Sequence, residues 1–240
     1  MVAVVLQLTD THFTGDPSGL VHGIDPVPRL RAVLEAWEQR GERADLVLLT
    51  GDVADDGAPQ AYEALAVELE RLGAPVLALP GNHDLAEPLA ARFGPMAPVE
   101  LAGWRIVPVD TTFPRETAGA VDAAAVLAGL DALDPRPTLL ALHHPPVSRS
   151  THPWFQLDGA DALLAGLAER PHVRAVVSGH VHEAFTLHRP GWPVLLSGPS
   201  TYVAISHHGD RYELEAARSR GARVLTLVED GSFTTELVTV

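Results

Sequence analysis

The sequence predicts an α/β domain, on three observations. Apolar, β-branched runs alternate with segments whose apolar residues recur at helical spacing, up to about residue 183. Beyond that point short β-like runs follow one another between Pro-Gly and Asp-Gly turns, so the later part is expected to be richer in antiparallel strands. A chain of 240 residues can bury one sizeable core, and without an internal repeat or linker it reads as a single domain over 1–240.

The elements follow in order. Residues 2–8 form a continuous apolar run, as a strand buried on both faces requires. After a Gly-, Asp- and Pro-rich loop, Asp25 is positioned to cap a helix with Pro26 and Pro28 in its first turn. Leu30, Val33, Leu34 and Trp37 share one face of it, and Gly41 ends it. Residues 45–50 are a second strand. Residues 59–72 are a helix with Tyr62, Leu65, Ala66 and Leu69 facing inward, and 75–79 a third strand. Further along, 105–109, 138–142 and 173–178 read as strands, with helices at 122–133 and at 159–168, the latter capped by Asp158. The final β-like runs are 184–188, 193–196, 201–205, 223–228 and 233–240, the last two forming a hairpin around 229–232.

Composition removes several functions. A hydrophobic fraction of 46% with 20% charged residues excludes a disordered chain. No apolar run approaches the roughly 20 residues that span a bilayer. With no cysteine, disulfides, zinc–thiolate sites, iron–sulfur clusters and thiol nucleophiles are excluded. Every basic residue is arginine, so no phosphate-binding loop lysine exists. A net charge of −14 argues against nucleic-acid polymers and anionic membranes as partners. The apolar run directly after Met1 has no basic flank or cleavage site, so the protein is expected to be cytoplasmic.

The twelve histidines carry the functional signal through their placement. Five apolar strands each end in Asp, Asn or His: Asp10-Thr11-His12, Gly51-Asp52-Val53-Ala54-Asp55, Gly81-Asn82-His83-Asp84, His143-His144-Pro145-Pro146 and Gly179-His180-Val181-His182. In open α/β sheets ligands bind at the carboxyl ends of strands, so these residues converge if the strands are parallel. Carboxylate, amide oxygen and imidazole suit a pair of divalent or mixed-valence ions (Mn, Fe, Zn or Co) better than Ca or Mg. The glycines before Asp52, Asn82 and His180 permit close backbone approach. Singly, Asp-x-His, Gly-Asp and His-His-Pro-Pro are ordinary turn sequences. Gly-Asn-His-Asp is the sharpest of the five, and their joint occurrence at strand ends decides the reading.

This order of motifs resembles the calcineurin-like metallophosphoesterase superfamily. The segment 20–25 and the stretch Ser197-Gly198-Pro199-Ser200-Thr201 resemble its class III cyclic-nucleotide phosphodiesterases, although Tyr202, Ala204 and Ile205 stand where that class continues with Cys and Gln-Phe. The resemblance implies a four-layer α-β-β-α sandwich of two mixed sheets with two metals at the sheet edges. Asp10, His12 and His182 would hold the first and Asn82, His143 and His180 the second, with Asp52 bridging. His143 is chosen over His144 because the family's ligand precedes x-Pro. His83 would face the phosphate, oriented by Asp55, and stabilise developing charge or protonate the leaving oxygen. The nucleophile would be a hydroxide between the two ions.

The implied activity is hydrolysis of small phosphodiesters, with 3′,5′-cyclic nucleotides first. Glycerophosphodiesters, other small diesters and phosphomonoesters are alternatives, and a metal-free interaction module is disfavoured because every ligand position is filled. A phosphoprotein phosphatase is disfavoured because Asp56 replaces that branch's arginine. Among the remaining residues, His144 is expected to support the ligands, His22 is a candidate for the cleft wall, and Trp154-Phe155 a candidate for stacking on a ring. His152, His172 and His188 are read as surface or turn residues, His207 and His208 as an exposed turn near a strand end with contact to substrate as the alternative, and Trp37 and Tyr62 as core. The residues after His182 read as edge strands or a homodimer interface.

Overall fold

In the computed structural model, which describes residues 1–113 and 116–240, the first part of the chain runs β1 (Val2–Leu8), α1 (Pro26–Glu38), β2 (Leu46–Thr50), α2 (Pro59–Leu69), β3 (Val76–Leu79), α3 (Ala86–Phe93), β4 (Val99–Leu101) and β5 (Trp104–Pro108). The middle holds β6 (Gly119–Ala120), α4 (Ala123–Asp131), β7 (Thr138–Ala141), β8 (Leu157–Asp158), α5 (Ala160–Ala168) and β9 (Val173–Ser178). The end is all strand: β10 (Phe185–Leu187), β11 (Val194–Ser197), β12 (Ala204–His208), β13 (Arg211–Glu215), β14 (Gly221–Val228) and β15 (Phe233–Thr239).

These strands form two mixed sheets. The first has the order β15-β14-β1-β2-β3, with β1, β2 and β3 parallel. The second has the order β10-β11-β9-β7-β5-β4, parallel from β11 to β5 and antiparallel at both edges. Strand alternation explains their stacking. Leu6 and Leu8 of β1, with Val47 and Leu49 of β2, pack on α1 and α2, while Val5, Leu46 and Leu48 face the second sheet. Leu139 and Ala141 of β7 return that contact, and Leu140 points to α4 and α5. Strands that are apolar on both faces thus produce the expected helix-sheet-sheet-helix layering. Near the site the inter-sheet layer turns polar. Buried Gln7 donates through Nε2 to Thr50 Oγ1 (2.8 Å) and Ser178 O (2.8 Å), and buried Arg223 donates to Ser197 O (2.8 Å) and Phe185 O (2.9 Å).

Several expectations are refined. Asp25 caps α1 through Val27 N (3.0 Å), but Asp158 does not cap α5, whose N-cap is Gly159 in the left-handed region. The strand expected at 201–205 lies three residues later as β12, because Ser200 Oγ accepts from Tyr202 N (2.9 Å) and Val203 N (3.2 Å) and holds that stretch as a turn. Sequence periodicity missed α3, which is short and has Pro88 in its first turn, and also β4 and β13. The closing hairpin forms as β14–β15 and completes the first sheet beside β1, so these residues are sheet strands. Among the described residues no helix is long and apolar enough to cross a membrane.

Candidate metal centre

The carboxyl ends of β1, β2 and β3 meet those of β7 and β9 along one edge of the sandwich, which brings all seven expected ligands together. Asp10, His12, Asp52 and His182 each offer an atom within 4.8 Å of the others. His12 Nε2 stands 3.2 Å from His182 Nε2, which is 3.4 Å from Asp10 Oδ1. Asp52 Oδ2 lies 3.8 Å from His12 Nε2 and 3.3 Å from His143 Nε2, itself 3.3 Å from Asn82 Oδ1. The His180 ring lies 4.9 Å from that of His143. One oxygen of Asp52 therefore sits between two ligand groups, while its Oδ1 accepts from His83 N (3.0 Å).

Hydrogen bonds at the far side of each ring fix which nitrogen faces inward. His12 Nδ1 donates to Asp55 Oδ1 (2.9 Å), His143 Nδ1 to Thr50 O (2.8 Å) and His182 Nδ1 to Val203 O (2.7 Å). His180 is reversed, with Nε2 donating to Trp154 O (2.8 Å). Each of the four rings turns its other nitrogen toward the cluster. His144 does not: Nε2 donates to Thr117 O (3.1 Å) and Nδ1 pairs with Thr111 Oγ1 (2.8 Å), so both nitrogens are committed. His144 lies in one close group with His143 and His180, and its hydrogen bonds are what distinguish it from His143.

The residues fit metal ions. With the Nδ1 protons of His12 and His182 engaged, their facing Nε2 atoms are directed at a common point, where a cation would accept both lone pairs. Burial pushes the His12 imidazole down despite Asp55 and Asp52, and burial beside His144 and His143 pushes His180 well down, so both rings are neutral donors. Burial opposes ionisation of Asp52, but His143, His83 and His12 outweigh it and hold the carboxyl well below its ordinary value. Burial likewise opposes charge on His143, and Asp52 outweighs it, raising that imidazole to about 9. His144 is lowered to about 3 by burial and by His143. The donors are nitrogen and oxygen only, which suits borderline transition ions.

Backbone strain marks the same residues. Asp10, His12, Asp52, His180 and His182 all have positive φ, between 48° and 68°, a region costing non-glycine residues about 1–3 kcal/mol each. Among the described non-glycine residues only His22 and Ala102 share it, and His22 with Gly23 makes the tight turn from Val21 to Ile24.

The pair expected to face the phosphate departs from expectation in one respect. His83 Nδ1 donates to the backbone carbonyl of Asp55 (2.9 Å), and the Asp55 carboxylate, 3.6 Å away, is spent on His12. Asp55 therefore positions His83 through its main chain. Asp52 and Asp55 raise the His83 imidazole against the effect of burial, which favours its protonated form. Asp56 accepts from Gly15 N (3.0 Å) and Ala58 N (3.0 Å), tying the first loop to the start of α2.

A cavity of about 370 Å³ opens onto this centre, within the size range of small-ligand pockets. His12, Asp52, Asn82, His83, His180 and His182 contribute to its wall together with aromatic and aliphatic side chains. His22 and Trp154-Phe155 are on the wall, as their loop positions suggested. Tyr202 and Tyr212 are there too; sequence reading missed them because β12 was misplaced and β13 unseen. His207 is not a turn residue: it lies on β12, its Nε2 donates to Val181 O (2.9 Å) and its ring packs 4.6 Å from Phe155.

The model of the calcineurin-like phosphoesterase family matches residues 3–184, the span that delivers every one of these ligands. The chain belongs to that family. Curated relatives of this phosphoesterase extend over nearly its whole length. It is 36% identical to a probable cyclic nucleotide phosphodiesterase of Synechococcus, covering 99% of this chain and 92% of that one. It is 31% identical to a 3′,5′-cyclic adenosine monophosphate phosphodiesterase of Escherichia coli, covering 97% and 88%. A cAMP/cGMP dual specificity phosphodiesterase of Mycobacterium tuberculosis is 33% identical, over 83% of this chain and 68% of that one. Among solved structures, a dimetal phosphatase from Danio rerio superposes with a TM-score of 0.66 at 14% identity, covering 98% and 99% of the two chains. That likeness shows the metallophosphoesterase fold.

Proposed function

We propose that this phosphoesterase hydrolyses 3′,5′-cyclic nucleotides at a two-metal site. The observation that carries the reading is that relatives bearing that activity in their names align with the chain from end to end, including the stretch after the last ligand motif that helps to wall the cavity. Asp10, His12 and His182 would hold one ion, Asn82, His143 and His180 the other, and Asp52 Oδ2 both. Such a pair supplies Lewis acidity toward the phosphoryl oxygens and acidifies a water. The choice among Mn, Fe, Zn and Co is open to any ion that these ligands accept.

The chain's own groups account for the rest. His83, held by the Asp55 carbonyl, lines the cavity beside Asp52, and the carboxylates of these two residues raise its imidazole against burial. It stands to donate its Nε2 proton to the ester oxygen that leaves as one P–O bond breaks. Among the described residues no arginine lines the cavity, and the chain has no lysine, which favours a singly charged diester over a monoester dianion. The cytoplasmic expectation agrees with a substrate of this kind.

A panel assay with added Mn²⁺ tests this, comparing cyclic AMP, bis(p-nitrophenyl) phosphate, glycerophosphodiesters and a phosphomonoester. The expected order places cyclic nucleotides first by kcat/KM. A preference for the monoester or for glycerophosphodiesters overturns the substrate assignment.

A further inference from the structure

The lining of the cavity includes an aromatic group to which neither metal binding nor proton transfer gives a role. Trp154 is 47% exposed on the cavity wall, whereas Trp37 and Trp104 are buried in the core. A wetted indole costs hydrophobic free energy unless something covers it. Tyr212, on β13, lies 5.7 Å from it, the rings tilted by 42°. Phe155, buried, stands edge-on behind Tyr212 at 5.3 Å, and His152 stands edge-on to Trp154 at 5.1 Å.

The two ring-bearing segments are fastened to each other. Thr151 N donates to Gly209 O (2.8 Å) at the β12–β13 turn, Ser150 Oγ donates to the same oxygen (3.2 Å), and Gln156 Nε2 closes the loop onto Ser150 O (2.7 Å). The loop is also fastened to the metal centre, because Trp154 O accepts from His180 Nε2. The backbone that carries the indole is thereby held one hydrogen bond from a candidate ligand, a pre-organised arrangement that lowers the entropy lost on binding.

We infer that Trp154 and Tyr212 form the platform on which the base of a nucleotide diester stacks while its phosphate lies at the ligand cluster, which makes them specificity-determining residues. A planar heteroaromatic ring gains stacking against such faces, whereas a glycerol or choline group gains little. The inference rests on the cyclic-nucleotide reading and names the part of that substrate which the aromatic lining receives.

The test uses Mn²⁺-loaded protein and two ligands, AMP and inorganic phosphate, titrated calorimetrically with metal content measured alongside. The native protein is expected to bind AMP about tenfold or more tighter than phosphate. Trp154→Ala and Tyr212→Ala should each weaken AMP by about tenfold while leaving phosphate affinity and metal content in place, and Trp154→Phe should restore AMP binding. With cyclic AMP the loss should fall on KM more than on kcat. Equal loss of AMP and phosphate would mean that Trp154 only positions His180, and unchanged AMP affinity would mean that the base lies elsewhere; either result overturns the platform. Base-dependent binding without turnover of cyclic AMP would instead overturn the proposed function and leave the platform standing.

Discussion

At the residue scale the centre is organised by outward hydrogen bonds as much as by inward donors. His143 and His144 are adjacent, chemically identical and both buried, yet His143 turns Nε2 toward Asp52 and Asn82 while both nitrogens of His144 are hydrogen-bonded to Thr111 and Thr117. His143→Gln should therefore release an ion, and His144→Gln should keep full metal content, as read by elemental analysis of protein purified without chelator. Equal loss in both variants would undo the distinction. His83→Ala should keep both metals and lower turnover by roughly two to four orders of magnitude, since it removes a proton donor and no ligand. Asp52→Ala should lose both ions, and a fully active, metal-replete variant would end the bridging role. Proton linkage follows from the raised His143 imidazole. In metal-free protein that ring is charged below about 9, so an ion must displace its proton. Affinity should rise with pH up to that point, with proton release detected by calorimetry in buffers of different ionisation enthalpy.

At the element scale the turns after the strands matter more than the strands. Gly51, Gly81 and Gly179 each precede a ligand, and at each a Cβ would overlap another part of the centre: the His143 ring, Asp52 Oδ1 and Thr9 Oγ1, respectively. Gly51 also has φ +91°. Gly81→Ala is expected to displace Asp52 and abolish metal uptake while far-ultraviolet circular dichroism stays native, because β2 and β3 are unaffected. The spacing made these glycines legible as sites of close approach. The reversed His180 ring was not legible, because its partner, the Trp154 carbonyl, belongs to a loop that carries no periodic signal.

At the scale of the whole molecule the two sheets must keep register for ligands from β1, β2 and β3 to meet those from β7 and β9. Gln7 and Arg223, partners across the β1–β14 ladder, cross the inter-sheet layer by hydrogen-bonding carbonyls of the second sheet. Arg223→Ala would strand the Ser197 and Phe185 carbonyls and should cost about 2–4 kcal/mol, read as a lower denaturant midpoint with an unchanged slope. Chelation should lower the melting temperature further, because ions that bind only the folded centre stabilise it by mass action.

The sequence by itself determined most of the strand–helix order, α3, β4 and β13 excepted, and the two-faced strands that end in Asp, Asn or His, because hydrophobic period and residue chemistry are local properties that survive without coordinates; the choice of seven donors among those residues was implied by the family resemblance. It also placed Asp55 and His83 at the centre. Only the tertiary structure decided that Asp55 serves His12 through its carboxylate and His83 through its carbonyl, and that β12 begins after the Ser200 turn. It alone put Tyr212 beside Trp154, and His207 beneath Phe155. Each of these depends on which backbone oxygen or ring comes within about 3–6 Å across segments far apart in the chain, a relation that no window of neighbouring residues encodes.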